Sequence, residues 1–137
     1  MKIKTDFVTN SSSTCFVLMT KGEFTLDKFL KAAGIEKDSP FEDMFEEIFQ
    51  MFKDELTPAR DFTQMHRWSR GRSYEQFIKE IFSENTWQRV QEAEAKGMTV
   101  YMGDLYSDHG ALECVLCTDC FVIDHKGLVV DATNDGW

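Results

Sequence analysis

The chain has 137 residues, 42% of them hydrophobic and twelve of them Phe, and carries a formal net charge of −9 at pH 7. That size and composition fit one globular domain spanning 1–137, able to bury about two thirds of the surface its unfolded chain exposes. The acidic balance argues against nucleic-acid phosphate and an anionic membrane surface as partners, because the long-range field repels both.

The N-terminal stretch MKIKTDFVTNSSST lacks the apolar run of a signal peptide, and no stretch approaches the ~20 apolar residues of a membrane span. The expected location is therefore the cytoplasm. There the four cysteines default to thiols or metal ligands, and their even number does not argue for disulfides.

Two β segments, IKTDFV and CFVLMT, flank the polar run TNSSST. In CFVLM nearly every residue is apolar, which suits a strand covered on both faces. The run between them is loop chemistry, since Asn and Ser side chains bond their own backbone. Its hydroxyls and N–H groups are also of the kind that cradles an anion, although nothing glycine-rich or lysine-bearing accompanies them. The stretch Asp6-Phe7-Val8-Thr9-Asn10-Ser11-Ser12-Ser13-Thr14-Cys15-Phe16-Val17 resembles the leader D-F-V-[TS]-N-S-S-S-S-S-F-[VI], found at the extreme N-terminus of many uncharacterised bacterial, archaeal and phage proteins. Thr14 and Cys15 stand where that leader has Ser. The resemblance implies neither an activity nor a site residue.

A first helix follows, with Thr25 as N-cap, Phe24 placed to staple onto Phe29, Gly34 as the stop, and Ile35 folding back over the last turn. A second helix is expected to open at Ser39, with Pro40 in the first position and Glu42 closing a capping box. Phe41, Met44, Phe45, Ile48, Phe49, Phe52 and Leu56 then fall at helical spacing on one face. The opposite face holds Glu42, Asp43, Glu46 and Glu47. It reads as a solvated face near a helix N-terminus rather than a divalent-metal site, because no His or further ligand joins the acids.

Thr57 and Pro58 are expected to start a third helix running toward Trp68. Around it Arg60, His66, Arg67, Arg70 and Arg72 form the basic concentration of an acidic chain. Guanidinium forks bind carboxylate or phosphate bidentately, which makes this the candidate surface for a small anionic ligand or a protein partner. The alternative is that these arginines lie against the acidic faces of neighbouring helices. Ser73 and Gln76 cap a fourth helix carrying Tyr74, Phe77, Ile78, Ile81 and Phe82. The stripe then slips to Trp87 and Val90, predicting a break at 83–85, a new cap at Asn85, and helix resuming to Lys96 and stopping at Gly97. Residues 99–106 are strand-like and 107–110 are turn-like.

The stretch ECVLCTDCFVIDHKGLVVD, residues 113–131, holds Cys114, Cys117 and Cys120 and has the strongest strand character in the chain. Its second half is a hairpin with Gly127 in the turn. A single strand from 111 to 124 would run to roughly 45 Å, so a bulge or turn near Thr118 and Asp119 is expected. In a continuous strand Cys114 and Cys120 share one face and Cys117 takes the other. In a turn Cys117 and Cys120 converge, and His109, Cys114 or His125 completes a tetrahedral zinc set. Three readings stay open: buried structural thiols, a zinc site, and a reactive cysteine assisted by His109 or His125. Asp131-Ala132-Thr133-Asn134-Asp135-Gly136 mimics the first half of a calcium loop, but the chain ends before the closing Glu such a loop needs, so it reads as a polar turn.

The expected fold is α+β: an antiparallel sheet built from the N- and C-terminal strands, packed against a central block of four to five helices between 25 and 96. The leading functional expectation is a binding or interaction module without catalytic activity or cofactor. A zinc-site protein built on Cys114, Cys117 and Cys120 and a cysteine-dependent enzyme are the alternatives.

Overall fold

The computed structural model describes residues 13–65, 71–106 and 121–133. The expected first strand, the polar run through Ser12 and the turn at 107–110 lie outside these residues. So does the expected bulge at Thr118 and Asp119.

Strand β1 (Ser13–Thr20) is the spine of the fold. Among the described residues it is followed by helices α1 (Leu26–Ala33) and α2 (Glu42–Asp54), strand β2 (Thr57–Pro58), helices α3 (Ala59–Met65), α4 (Tyr74–Ile81) and α5 (Glu84–Ala95), and strands β3 (Thr99–Tyr106), β4 (Phe121–His125) and β5 (Leu128–Ala132). The strands form one sheet in the order β2-β3-β1-β5-β4, with every pairing antiparallel. The expected α+β architecture is what the chain adopts.

Alternation along β1 explains the layering. Phe16 and Leu18 enter a core with Phe24, Phe29, Phe49 and Phe52 from α1, α2 and the residues before them. Cys15, Val17 and Met19 enter a second core with Phe77, Ile78, Val90 and Met102. The sheet is thus a middle layer, with α1 and α2 on one face and α3, α4 and α5 on the other, which is why CFVLM has no polar position. On the first face the Phe rings interlock, with Phe16 edge-on to Phe52 at 4.8 Å and Phe24 against Phe49 at 4.8 Å. Burying each such side chain stabilises the fold by roughly 1.5–3 kcal/mol.

Local chemistry sets several boundaries as expected. Ser73 and Gln76 make a reciprocal capping box at α4, and Gly34 takes the left-handed conformation that stops α1. β3 covers 99–106, and Gly127 adopts a positive φ in the two-residue turn between β4 and β5.

Other boundaries differ. α2 begins at Glu42 rather than Ser39, with Phe41 as an N-cap that makes no side-chain cap bond. Ser39 instead accepts from the Phe41 N–H in a preceding turn, so no capping box forms. The stripe of α2 narrows accordingly: Ile48, Phe49 and Phe52 are buried, while Phe41 is 56% exposed and Met44 38% exposed. Phe41 precedes the first helical residue, and Met44 falls on the flank of the buried stripe. Thr57 and Pro58 do not start a helix but pair with Met102 and Tyr101 as β2, an edge strand among the described residues. An edge tolerates Pro because the missing N–H leaves no interior ladder bond unmade. After the break at Phe82, Ser83 rather than Asn85 caps α5, accepting from the Thr86 N–H.

Candidate functional site

The described arginines of the basic stretch are engaged by acids on neighbouring helices. Arg60 pairs with Glu94 of α5 at 3.3 Å and lies over the Tyr74 ring at 4.3 Å. Arg72 pairs with Glu80 of α4. Tyr74 packs edge-on to Trp87 at 5.6 Å, and burial, followed by the charge of Glu94, pushes its phenol above the ordinary range. His66, Arg67 and Arg70 lie outside the described residues.

Cys114, Cys117, Cys120 and His109 also lie outside them. His125 is described, exposed, and the last residue of β4. Because β4 is extended, Phe121, the residue that follows Cys120, stands about 13 Å along the strand from His125. Among the described residues no group of three or more His, Cys, Asp or Glu gathers as a metal would need.

Cys15, the cysteine among the described residues, is buried on β1. Its thiol donates to Asp104 across the β1–β3 pair at 3.0 Å. Burial, then the Asp104 charge and that hydrogen bond, raise its pKa far above the ordinary thiol range. A thiol held protonated and covered is the reverse of an activated nucleophile. Cys15 should therefore stay unlabelled by iodoacetamide in the native protein and react only after denaturation, as read by peptide mass mapping. Native labelling at the rate of an exposed thiol would contradict this.

Two features were not legible in the chain. The first is a carboxylate network. Asp131 of β5 faces α5 and is fully buried. It accepts from the Thr86 hydroxyl at 2.8 Å, from Arg89 at 2.8 Å, and from the Thr133 hydroxyl and N–H at 2.7 and 3.2 Å. The D-x-T pattern at 131–133 is therefore a local turn bonded to its own carboxylate, with α5 clasped onto it. All its bonds are internal, so it holds the sheet to the helix.

The second feature is a cleft of about 660 Å³ between the C-terminal end of α1 and the β4–β5 hairpin. The cap of α1 builds its apolar floor: Gly34 reverses the chain, and the Ile35 N–H returns to the Leu30 carbonyl at 2.9 Å, bringing Ile35 over Leu30. Asp27 and Lys31 from α1 and Glu36 and Lys37 from the segment after it set charges of both signs around that floor. His125 closes the cleft from the sheet side. It lies on the same face of β4 as Phe121 and Ile123, which pack on the α1 and α2 core. The cap at Gly34 and Ile35 was readable from the chain. That His125 would meet it was not, because the two are brought together only by the packing of α1 on β4 and β5.

No helix among the described residues is long and apolar enough to cross a membrane. Comparison with protein-family models, with curated proteins and with solved structures finds no match for this chain.

Proposed function

We propose that the protein is a binding module rather than an enzyme, and that its ligand occupies the cleft between α1 and His125. The observation that carries this reading is the cleft itself. It combines a volume of about 660 Å³, an apolar floor of Leu30 and Ile35, and a few charged side chains around it, which is the usual make-up of a ligand site. Lys31 and Lys37 supply cationic partners for an anionic group and His125 an imidazole to hydrogen-bond it, while Leu30 and Ile35 receive an apolar one. The buried, protonated Cys15 offers no nucleophile to set against this.

A thermal-shift screen of small carboxylates, phosphate and short peptides tests the proposal. A ligand at a hundredfold excess over its Kd stabilises the native state by about 2.7 kcal/mol, an upward shift of several degrees. Lys31→Ala and His125→Ala should each abolish most of that shift. A shift that survives both substitutions but disappears in Arg72→Ala would move the site to the α3–α4 surface.

A further inference from the structure

An anionic group alone would answer Lys31 and Lys37 but would also meet Asp27 and Glu36, which line the same cleft. Two acids and two lysines cancel, so the lining offers no net field to a ligand of one sign. It suits a ligand that carries both. Asp27, Leu30, Lys31 and Gly34 recur at the spacing that puts them on one face at the end of α1, and that face is a wall of the cleft. Asp27 and Lys31 stand one turn apart, a spacing at which ion pairs form readily. On α4 the same spacing does pair Glu75 with Lys79, at 2.6 Å. Among the described residues no such pair joins Asp27 to Lys31.

The two acids are not equivalent. Asp27 lies in the first turn of α1, where the positive end of the helix dipole already favours its charge. Glu36 follows the Gly34 cap at the opposite end, where the negative end of the dipole disfavours a carboxylate and attracts a cation. Resting on the binding reading above, we infer that the ligand is a short free peptide of two or three apolar residues, held by both of its charged ends. Its ammonium sits between Glu36 and the carbonyl end of α1. Its carboxylate meets Lys31 from the helix and His125 from the end of β4, and its side chains cover Leu30 and Ile35. The backbones of Lys31 and Glu36 are at most about 12 Å apart, three residues along a helix and two beyond it. Two or three extended residues, at about 3.3–3.6 Å each, fit within that span. A volume of about 660 Å³ is likewise that of a site for ligands larger than a single amino acid.

Calorimetric titration of the full chain with leucylleucine, trileucine and their N-acetyl and C-terminal amide forms tests the inference. A free peptide should bind, and blocking either of its ends should weaken binding at least about tenfold. Glu36 is exposed, so Glu36→Gln should fold normally. It should weaken the free peptide at least about threefold and leave the N-acetyl form unchanged. Asp27→Asn should leave both nearly unchanged. An N-acetyl form that binds as tightly as the free peptide, or a free peptide indifferent to Glu36→Gln, would overturn the inference. If neither free peptide binds while a simple carboxylate raises the melting temperature and Lys31→Ala removes that effect, the cleft stands as a site for anions and the peptide falls. Binding of leucylleucine that survives both Lys31→Ala and His125→Ala would place it outside the cleft and overturn the binding reading together with the inference.

Discussion

Asp131→Ala is expected to lower the stability of the fold by about 3 kcal/mol or more. The carboxylate is fully buried and accepts from two threonine hydroxyls, one backbone N–H and one guanidinium. Hydrogen bonds to a charged group contribute about 1.5–3 kcal/mol each, and removing one member of a buried pair costs about 3–5 kcal/mol because its partners are left unmet. The lower end applies because the Arg89 side chain is 35% exposed and can turn to water. The Thr86 hydroxyl, on a fully buried residue, cannot. Asp131→Asn keeps the shape but turns an amide donor toward groups that are themselves donors, so it should fall between wild type and Ala. Urea denaturation with an unchanged m-value measures the loss. A loss under about 1 kcal/mol would mean that the clasp between α5 and β5 is incidental.

Gly103→Ala is expected to cost about 3 kcal/mol, at the upper end of ordinary overpacking. Gly103 lies in β3 opposite Phe16. A Cβ there would overlap the backbone oxygen of Glu55 and stand 2.8 Å from the Phe16 ring. Neither neighbour gives way easily. Glu55 caps α2 just before β2, and Phe16 is held edge-on by Phe52. The small gain that Ala brings over Gly in chain entropy, about 0.4–1 kcal/mol, does not offset such a clash. Denaturation again gives the number, and a neutral or stabilising substitution would show that α2 is free to lift off the sheet.

Much of the fold was legible because it depends on short-range chemistry. Thr25, Gly34, Ser73 with Gln76, and Gly127 mark element ends through bonds made within a few residues, and the unbroken apolar run of β1 announced a strand covered on both sides. The start of α2 failed within the same short range, where two local bonds compete for one hydroxyl. Ser39, Pro40 and Glu42 satisfy a capping pattern, but the Ser39 hydroxyl is already used by the Phe41 N–H. The edge strand β2 carries no periodicity in two residues, and its partner lies more than forty positions away in β3. The Asp131 clasp and the cleft were hidden by the same distance. Thr86 and Arg89 are 45 and 42 positions from Asp131, and His125 meets Leu30 and Ile35 only because α1 packs on the hairpin. The basic stretch that stood out in the chain proves, at Arg60 and Arg72, to be matched by acids of α5 and α4.

These placements move the centre of interest from the arginines to the hairpin. Asp124 and His125, adjacent in the chain, face opposite sides of β4, and of the two it is His125 that lines the cleft. The most direct measurement is a titration of the full chain with a ligand that raises its melting temperature, followed in two-dimensional amide NMR spectra. The binding account predicts shifts concentrated at His125 and along Leu30–Lys37. Shifts confined to the residues around Arg60, Tyr74 and Arg72, with β4 unmoved, would contradict it.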